Sequence, residues 1–113
     1  MHKIGDIVLT PFPFTDLSQN KVRPALILGT QKNGDDVTVC FISSNTQNKI
    51  QALEVLIDSK DKNFRQTGLK TDSTIKVTKI ATLDKIVILG QIGKLDALKM
   101  VKVKKILKIY LEL

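Results

Sequence analysis

Between Gly5 and Leu28 the sequence reads GDIVLTPFPFTDLSQNKVRPALIL, with two short apolar runs, Ile7–Leu9 and Ala25–Leu28, flanking a polar segment that ends in Arg23-Pro24. Runs this short, rich in Ile, Val and Leu, fill buried strands better than helices. Pro24 has no N–H to donate and disfavours helix at the residue before it, so Arg23 is predicted to lie extended at the entrance of a strand. A guanidinium there carries a permanent charge and five donors on a rigid element. That arrangement suits a phosphate. It equally suits a surface carboxylate, and the residues alone leave both partners open.

Read in order, the chain is β-rich until its last element. Ile7–Leu9 is a first strand, stopped by Pro11 and Pro13. Phe12 and Phe14 alternate with those prolines and serve either core packing or stacking on bases. Thr15-Asp16 begins a turn, and Leu17–Val22 is an exposed polar loop carrying Lys21 beside Arg23. Ala25–Gly29 is a strand, Asn33-Gly34 a hairpin turn, and Val37–Ile42 the returning strand. The polar run SSNTQNK follows it directly. Leu53–Ile57 is another strand, and Asp58–Asp72 a charged loop expected to be mobile. Thr74–Ile80 alternates, with Ile75 and Val77 on one face and Thr74, Lys76 and Thr78 on the other. Thr82–Lys85 reads as a turn and Ile86–Ile92 as a last strand. Asp96 then caps a helix whose apolar face is Met100, Val103, Ile106, Leu107 and Tyr110, with Lys104, Lys105 and Lys108 opposite. The pattern predicts a mainly β (α+β) domain over residues 1–113: a small SH3-like barrel or strongly bent antiparallel sheet of roughly five to seven strands with a C-terminal helix.

The charge balance narrows the partners. Eighteen Lys+Arg against 11 Asp+Glu give a formal net charge of +7. That excess favours nucleic acid, an acidic protein segment or an anionic surface. Only Arg23 and Arg65 are arginines, which singles them out among the cations. No stretch resembles a signal peptide, and no apolar run approaches the ~20 residues of a membrane span, so the expected location is the cytoplasm.

Several chemistries are excluded by residue supply. His2 is the only histidine and Cys40, inside an apolar run, the only cysteine. A His/Cys zinc site, a disulfide framework and a Ser-His-Asp triad therefore lack their parts. There is no P-loop and no GxGxxG. The acidic residues cluster in turns, as in Asp35-Asp36, and not as paired catalytic carboxylates. What remains is an arginine at a strand entrance, a hydroxyl-rich segment after a neighbouring strand and a lysine-bearing sheet face. Those parts stabilise negative charge on phosphorus, and RNA brings its own nucleophile, the 2′-OH. Such a reaction needs neither a metal nor a cofactor.

GDIVL, PFPFTD, KVRPALIL, FISSN at 41–45, the strand around Thr74–Asp84 and the final helix together resemble the PemK/MazF family, the toxins of bacterial type II toxin–antitoxin pairs. The resemblance implies a CcdB/PemK/MazF-like barrel that dimerises, cleaves single-stranded mRNA without a metal and is silenced by a cognate acidic antitoxin. The family's catalytic arginine falls on Arg23. Its catalytic threonine falls on Ser43, which keeps the hydroxyl and loses the methyl. One branch uses an arginine, an aspartate and a histidine; these fall on Lys76, on Thr78 and near Leu17, so that branch's acid–base set is absent. The implied RNA contacts are Lys21, Asn45, Gln47, Lys76 and Thr78. Two other functions sit on the same fold: a non-catalytic inhibitor of DNA gyrase, and a silent RNA-binding module.

Overall fold

The computed structural model describes residues 2–11, 21–44 and 52–113. Among them, six strands precede one helix: β1 (Asp6–Pro11), β2 (Val22–Thr30), β3 (Asp36–Ser43), β4 (Glu54–Ile57), β5 (Ser73–Asp84), β6 (Gly90–Lys94) and α1 (Ala97–Tyr110). The strands form one curled antiparallel sheet in the order β4-β5-β3-β2-β1-β6, which leaves β4 and β6 at its edges.

Alternation along the strands, interrupted at bulges, gives the sheet two apolar faces. Ile7, Leu26, Cys40, Ile42, Val55, Ile57, Ile75 and Val77 form one, covered by Val103 of α1 and by Leu95, with Met100, Ile106 and Leu107 packed around them. Val8, Ala25, Ile27, Val37, Val39 and Phe41 form the other. Cys40 is fully buried, and that burial pushes its thiol up to about 12, so it behaves as a small inert hydrophobe. The helix starts as its sequence dictates: the Asp96 carboxylate accepts the Lys99 N–H at 3.2 Å. Tyr110, placed on the apolar face by spacing, is instead exposed in the final turn.

Elsewhere the strands outrun their sequence signals. β1 continues through Pro11, which pairs with Val22, so Arg23 lies inside β2 and pairs with Thr10. Pro24 is tolerated there because the β2–β3 pairing begins only at Ala25. β5 continues through the predicted turn at Thr82–Lys85, since Asp36–Val39 of β3 supplies partners for Ala81–Asp84. The predicted strand Ile86–Ile92 is divided. Asp84 accepts the Ile86 N–H at 3.0 Å and starts a short 3-10 turn, Lys85–Val87, while pairing with β1 begins at Gly90. Ile86 is 81% and Leu89 64% exposed, so their hydrophobicity did not mark a buried strand.

The segment predicted to be mobile, Asp58–Asp72, is pinned by its own aspartates. Asp72 accepts the Ser59 N–H at 2.6 Å, Asp58 the Lys60 N–H at 2.9 Å and Asp61 the Asn63 N–H at 2.9 Å. A 3-10 turn, Arg65–Thr67, lies within it and backs onto β6.

Lys99, on the first turn of α1, ties this segment to the helix. Its ammonium is shared between Asp61 and Asp96, and its side chain is 11% exposed. The Asn63 N–H and then the Lys99 ammonium hold the Asp61 carboxyl below its ordinary range. Burial pulls the Lys99 ammonium down, but the two carboxylates outweigh it and leave it raised. A depressed carboxyl stabilises the fold above the ordinary aspartate range, near ~4, and the contribution fades as pH falls through the folded value. A raised lysine stabilises below ~10.4 and fades as pH rises through the folded value. Thermal melting of wild type and Lys99→Met should therefore differ most between these limits. The difference should shrink toward both extremes; a pH-independent gap would show that the charges do not hold this segment.

Candidate active site

The sheet register assembles the site as two transverse rows on one face. Cross-strand partners project to the same side, about 4.5–5.5 Å apart at Cβ. The inner row is Val8, Ala25, Phe41, Lys76 and Glu54, each paired with its neighbour. In the outer row, Thr10 pairs with Arg23 and Ser43 with Thr74. Continuing the β2–β3 register two residues beyond Ala25 and Phe41 sets Arg23 across from Ser43. Both are half-buried. The register thus directs the arginine and the hydroxyl that the sequence singled out to the same face of the sheet.

Arg23 is held by packing. Its guanidinium carbon lies 5.8 Å from the centre of the Phe41 ring, within cation–π range. Among the described residues no carboxylate pairs with it, and its buried Nε has no hydrogen-bond partner. A buried orphan donor is uncommon, because it forfeits its hydration without compensation. Thr10 is turned away from this role: its hydroxyl donates to the Val87 carbonyl at 3.2 Å.

The other expected contacts divide. Lys21 is exposed immediately before β2. Lys76 faces the site, but its ammonium lies 2.6 Å from Glu54 Oε2, with side-chain exposures of 26% and 12%. Part of its charge is therefore already answered. Thr78 is half-buried. Asn45, Gln47, Phe12, Phe14, Thr15, Asp16 and Leu17 lie outside the described residues. Among the described residues no cluster of His, Cys, Asp or Glu has the makings of a metal site. No described helix is long and apolar enough to cross a membrane.

Sequence reasoning missed three residues of this face. Phe41, read only as part of the strand Val37–Ile42, is 9% exposed and also carries Arg23. Glu54 gave no signal that it would neutralise Lys76. Lys79 was not singled out, and continuing the alternation of Ile75 and Val77 would send it to the opposite face, yet its ammonium lies 5.9 Å from the Phe41 ring centre.

A curled six-stranded antiparallel sheet backed by one late helix, with Arg23 and Lys76 on the sheet face opposite the helix, is a small half-barrel. The chain belongs to the PemK-like, MazF-like toxins of type II toxin–antitoxin systems, whose family model matches residues 3–111. Among solved structures it is similar to the Mycobacterium tuberculosis toxin MazF-mt6, at 22% identity and a TM-score of 0.72 over 96% of this chain and 97% of that one. It is similar to MazF from Deinococcus radiodurans, at 19% identity and a TM-score of 0.74 over 99% and 97%. A mycobacterial endoribonuclease in complex with its cognate antitoxin matches at 19% identity and a TM-score of 0.71 over 96% and 93%. Among curated proteins no sequence matches the chain.

Proposed function

We propose that this toxin is a metal-independent endoribonuclease that cleaves single-stranded mRNA, with Arg23 and Ser43 at the reacting phosphate. The observation that carries the reading is a guanidinium with no described carboxylate to neutralise it, on the sheet face to which the continued β2–β3 register also directs the Ser43 hydroxyl. The 2′-oxygen attacks phosphorus and the P–O5′ bond breaks. The proton leaves the 2′-OH, and another is delivered to the 5′-oxygen. The products are a 2′,3′-cyclic phosphate and a 5′-hydroxyl.

Negative charge accumulates on the non-bridging oxygens, where Arg23 stabilises it and Ser43 donates a hydrogen bond. A guanidinium is a poor general base, so its share is electrostatic. The orphan Nε–H is the kind of donor that a phosphoryl oxygen satisfies. Lys21, Asn45, Gln47, Lys76 and Thr78 contact the strand. The RNA is single-stranded, since only unstacked bases can be splayed out and read.

The family and the neighbour bound to its cognate antitoxin support an antitoxin partner here, and the +7 charge suits an acidic tail that folds on binding. A homodimer in the cytoplasm is the working assembly. Exposed Leu98, Val101 and Ile109 on α1, 75%, 63% and 61% exposed, give it apolar surface to cover.

The test is incubation of purified protein with a long single-stranded RNA in chelator. Discrete cuts are expected. Retention of RNA without cuts would leave a silent binding module, and blocked DNA supercoiling with no effect on RNA would leave a gyrase inhibitor. A subtler prediction concerns Lys76. Glu54→Gln removes the anion that answers its ammonium and should tighten binding of a non-cleavable RNA about two- to threefold at low salt. Weaker binding in a titration would mean that Glu54 positions Lys76.

A further inference from the structure

We propose that Lys79 is a second phosphate-binding cation of the site, delivered to it by a bulge in β5 and seated with Arg23 on the Phe41 ring. This rests on the RNA-binding reading above and adds a residue to it.

The strand register shows how Lys79 gets there. Cys40 pairs with Ile80, yet the next residue of β3, Phe41, pairs with Lys76. Val77, Thr78 and Lys79 therefore stand outside the pairing, opposite a single step of β3. Bulges of this kind bend a strand and re-aim its side chains. Val77 still reaches the helix-side core, where it is fully buried. Lys79 does not follow the alternation that would send it the same way; it comes round to Phe41, on the side that carries Arg23.

The consequence is two cations on one ring, at 5.8 and 5.9 Å from its centre. Like charges gathered on one support repel each other unless an anion lies between them. Lys79 is exposed, and among the described residues no carboxylate pairs with it. Lys76, the lysine that alternation alone nominates, is paired with Glu54 instead. The bulge thus brings to the ring that carries Arg23 a lysine with no described carboxylate partner, where Lys76 is paired with Glu54. With Arg23 on the scissile phosphate, Lys79 holds the neighbouring phosphodiester. The contact is to backbone and carries no base preference.

The experiment measures binding of a fluorescent, fully 2′-O-methylated single-stranded oligonucleotide to wild type, Lys79→Met, Lys79→Arg and Lys32→Met over a salt series. Lys32, in the hairpin turn at the far end of β2 and β3, controls for net charge. Lys79→Met should raise Kd about three- to tenfold near 0.1 M salt and flatten the log–log salt slope by about 0.7, the value of one released counterion on a single strand. Lys79→Arg should restore both, since arginine also stacks on the ring. Lys32→Met should leave the slope unchanged. Equal slopes for wild type and Lys79→Met, in a wild type that binds and cuts RNA, overturn the Lys79 assignment alone. A wild type that neither binds nor cuts RNA overturns the function and this inference together.

Discussion

Arg23→Ala is expected to lower the rate of RNA cleavage by about 10³-fold, the scale on which one preorganised charge at a phosphoryl or oxyanion centre acts. The same variant should melt within about 1 kcal/mol of wild type. Two small terms oppose each other. The cation–π contact with Phe41 is lost, but so is a buried Nε that has no acceptor among the described residues. A residue kept for stability would show the reverse pattern, with a fall in melting temperature and a proportionate loss of activity. Arg23→Lys should recover little of the rate, because an ammonium cannot offer two parallel donors to a phosphate. Single-turnover cleavage of a short RNA, with melting curves on the same samples, checks both halves. Near-wild-type cleavage by Arg23→Ala would remove the assignment.

Gly93→Ala is expected to be the most damaging small substitution among the described glycines on β6. Gly93 pairs with Ile7 of β1 while its open side faces the Arg65–Thr67 turn. A Cβ at this position would meet the Gln66 carbonyl oxygen at 2.3 Å and the Thr67 carbonyl carbon at 2.3 Å. These are backbone atoms of a turn fixed from within: the Thr67 hydroxyl donates to the Phe64 carbonyl at 2.6 Å and accepts the Leu69 N–H at 3.1 Å. Neither wall gives way cheaply, so the cost should be about 3 kcal/mol, the upper end of ordinary overpacking. In a chain of this size that lowers the melting temperature by roughly 15 °C. At Gly90, on the same strand, an added Cβ would find nothing within 4 Å, so Gly90→Ala is the matched control and should change little. Equal melting of the two variants would contradict this packing of the turn against β6.

Asp96 and the spacing behind it made α1 legible, because a cap and a helical stripe are local signals and the helix needs only one sheet face to cover. Ala25–Leu28 was legible for a similar reason: alternate residues of β2 are buried on both faces, and a continuous apolar run says so directly. The last strand was not. Ile86–Leu89 carries the hydrophobicity, but it is Gly90–Lys94 that pairs with β1, only the Leu89 N–H of the former reaching the Leu9 carbonyl, since the free edge of β1 chooses by register and backbone access. The site was half legible. Arg23 announces itself by the proline after it and by the scarcity of arginine. Lys79 does not, because alternation holds only until a bulge interrupts it, and the bulge is fixed by long-range pairing between β3 and β5. Lys99 was invisible in the same way: one of several helix lysines by sequence, it is singled out by two aspartates that the fold brings to it.

In the proposed reaction the substrate supplies the nucleophile and the protein supplies the charge that answers it. The most direct test of that division is a single-stranded RNA bearing one 2′-deoxy nucleotide immediately 5′ of a mapped cut. Cleavage at that bond should disappear, while a second, unmodified site in the same strand is cut at its normal rate and leaves a 5′-hydroxyl. Cleavage persisting at the deoxy position, or ends bearing a 5′-phosphate, would contradict it.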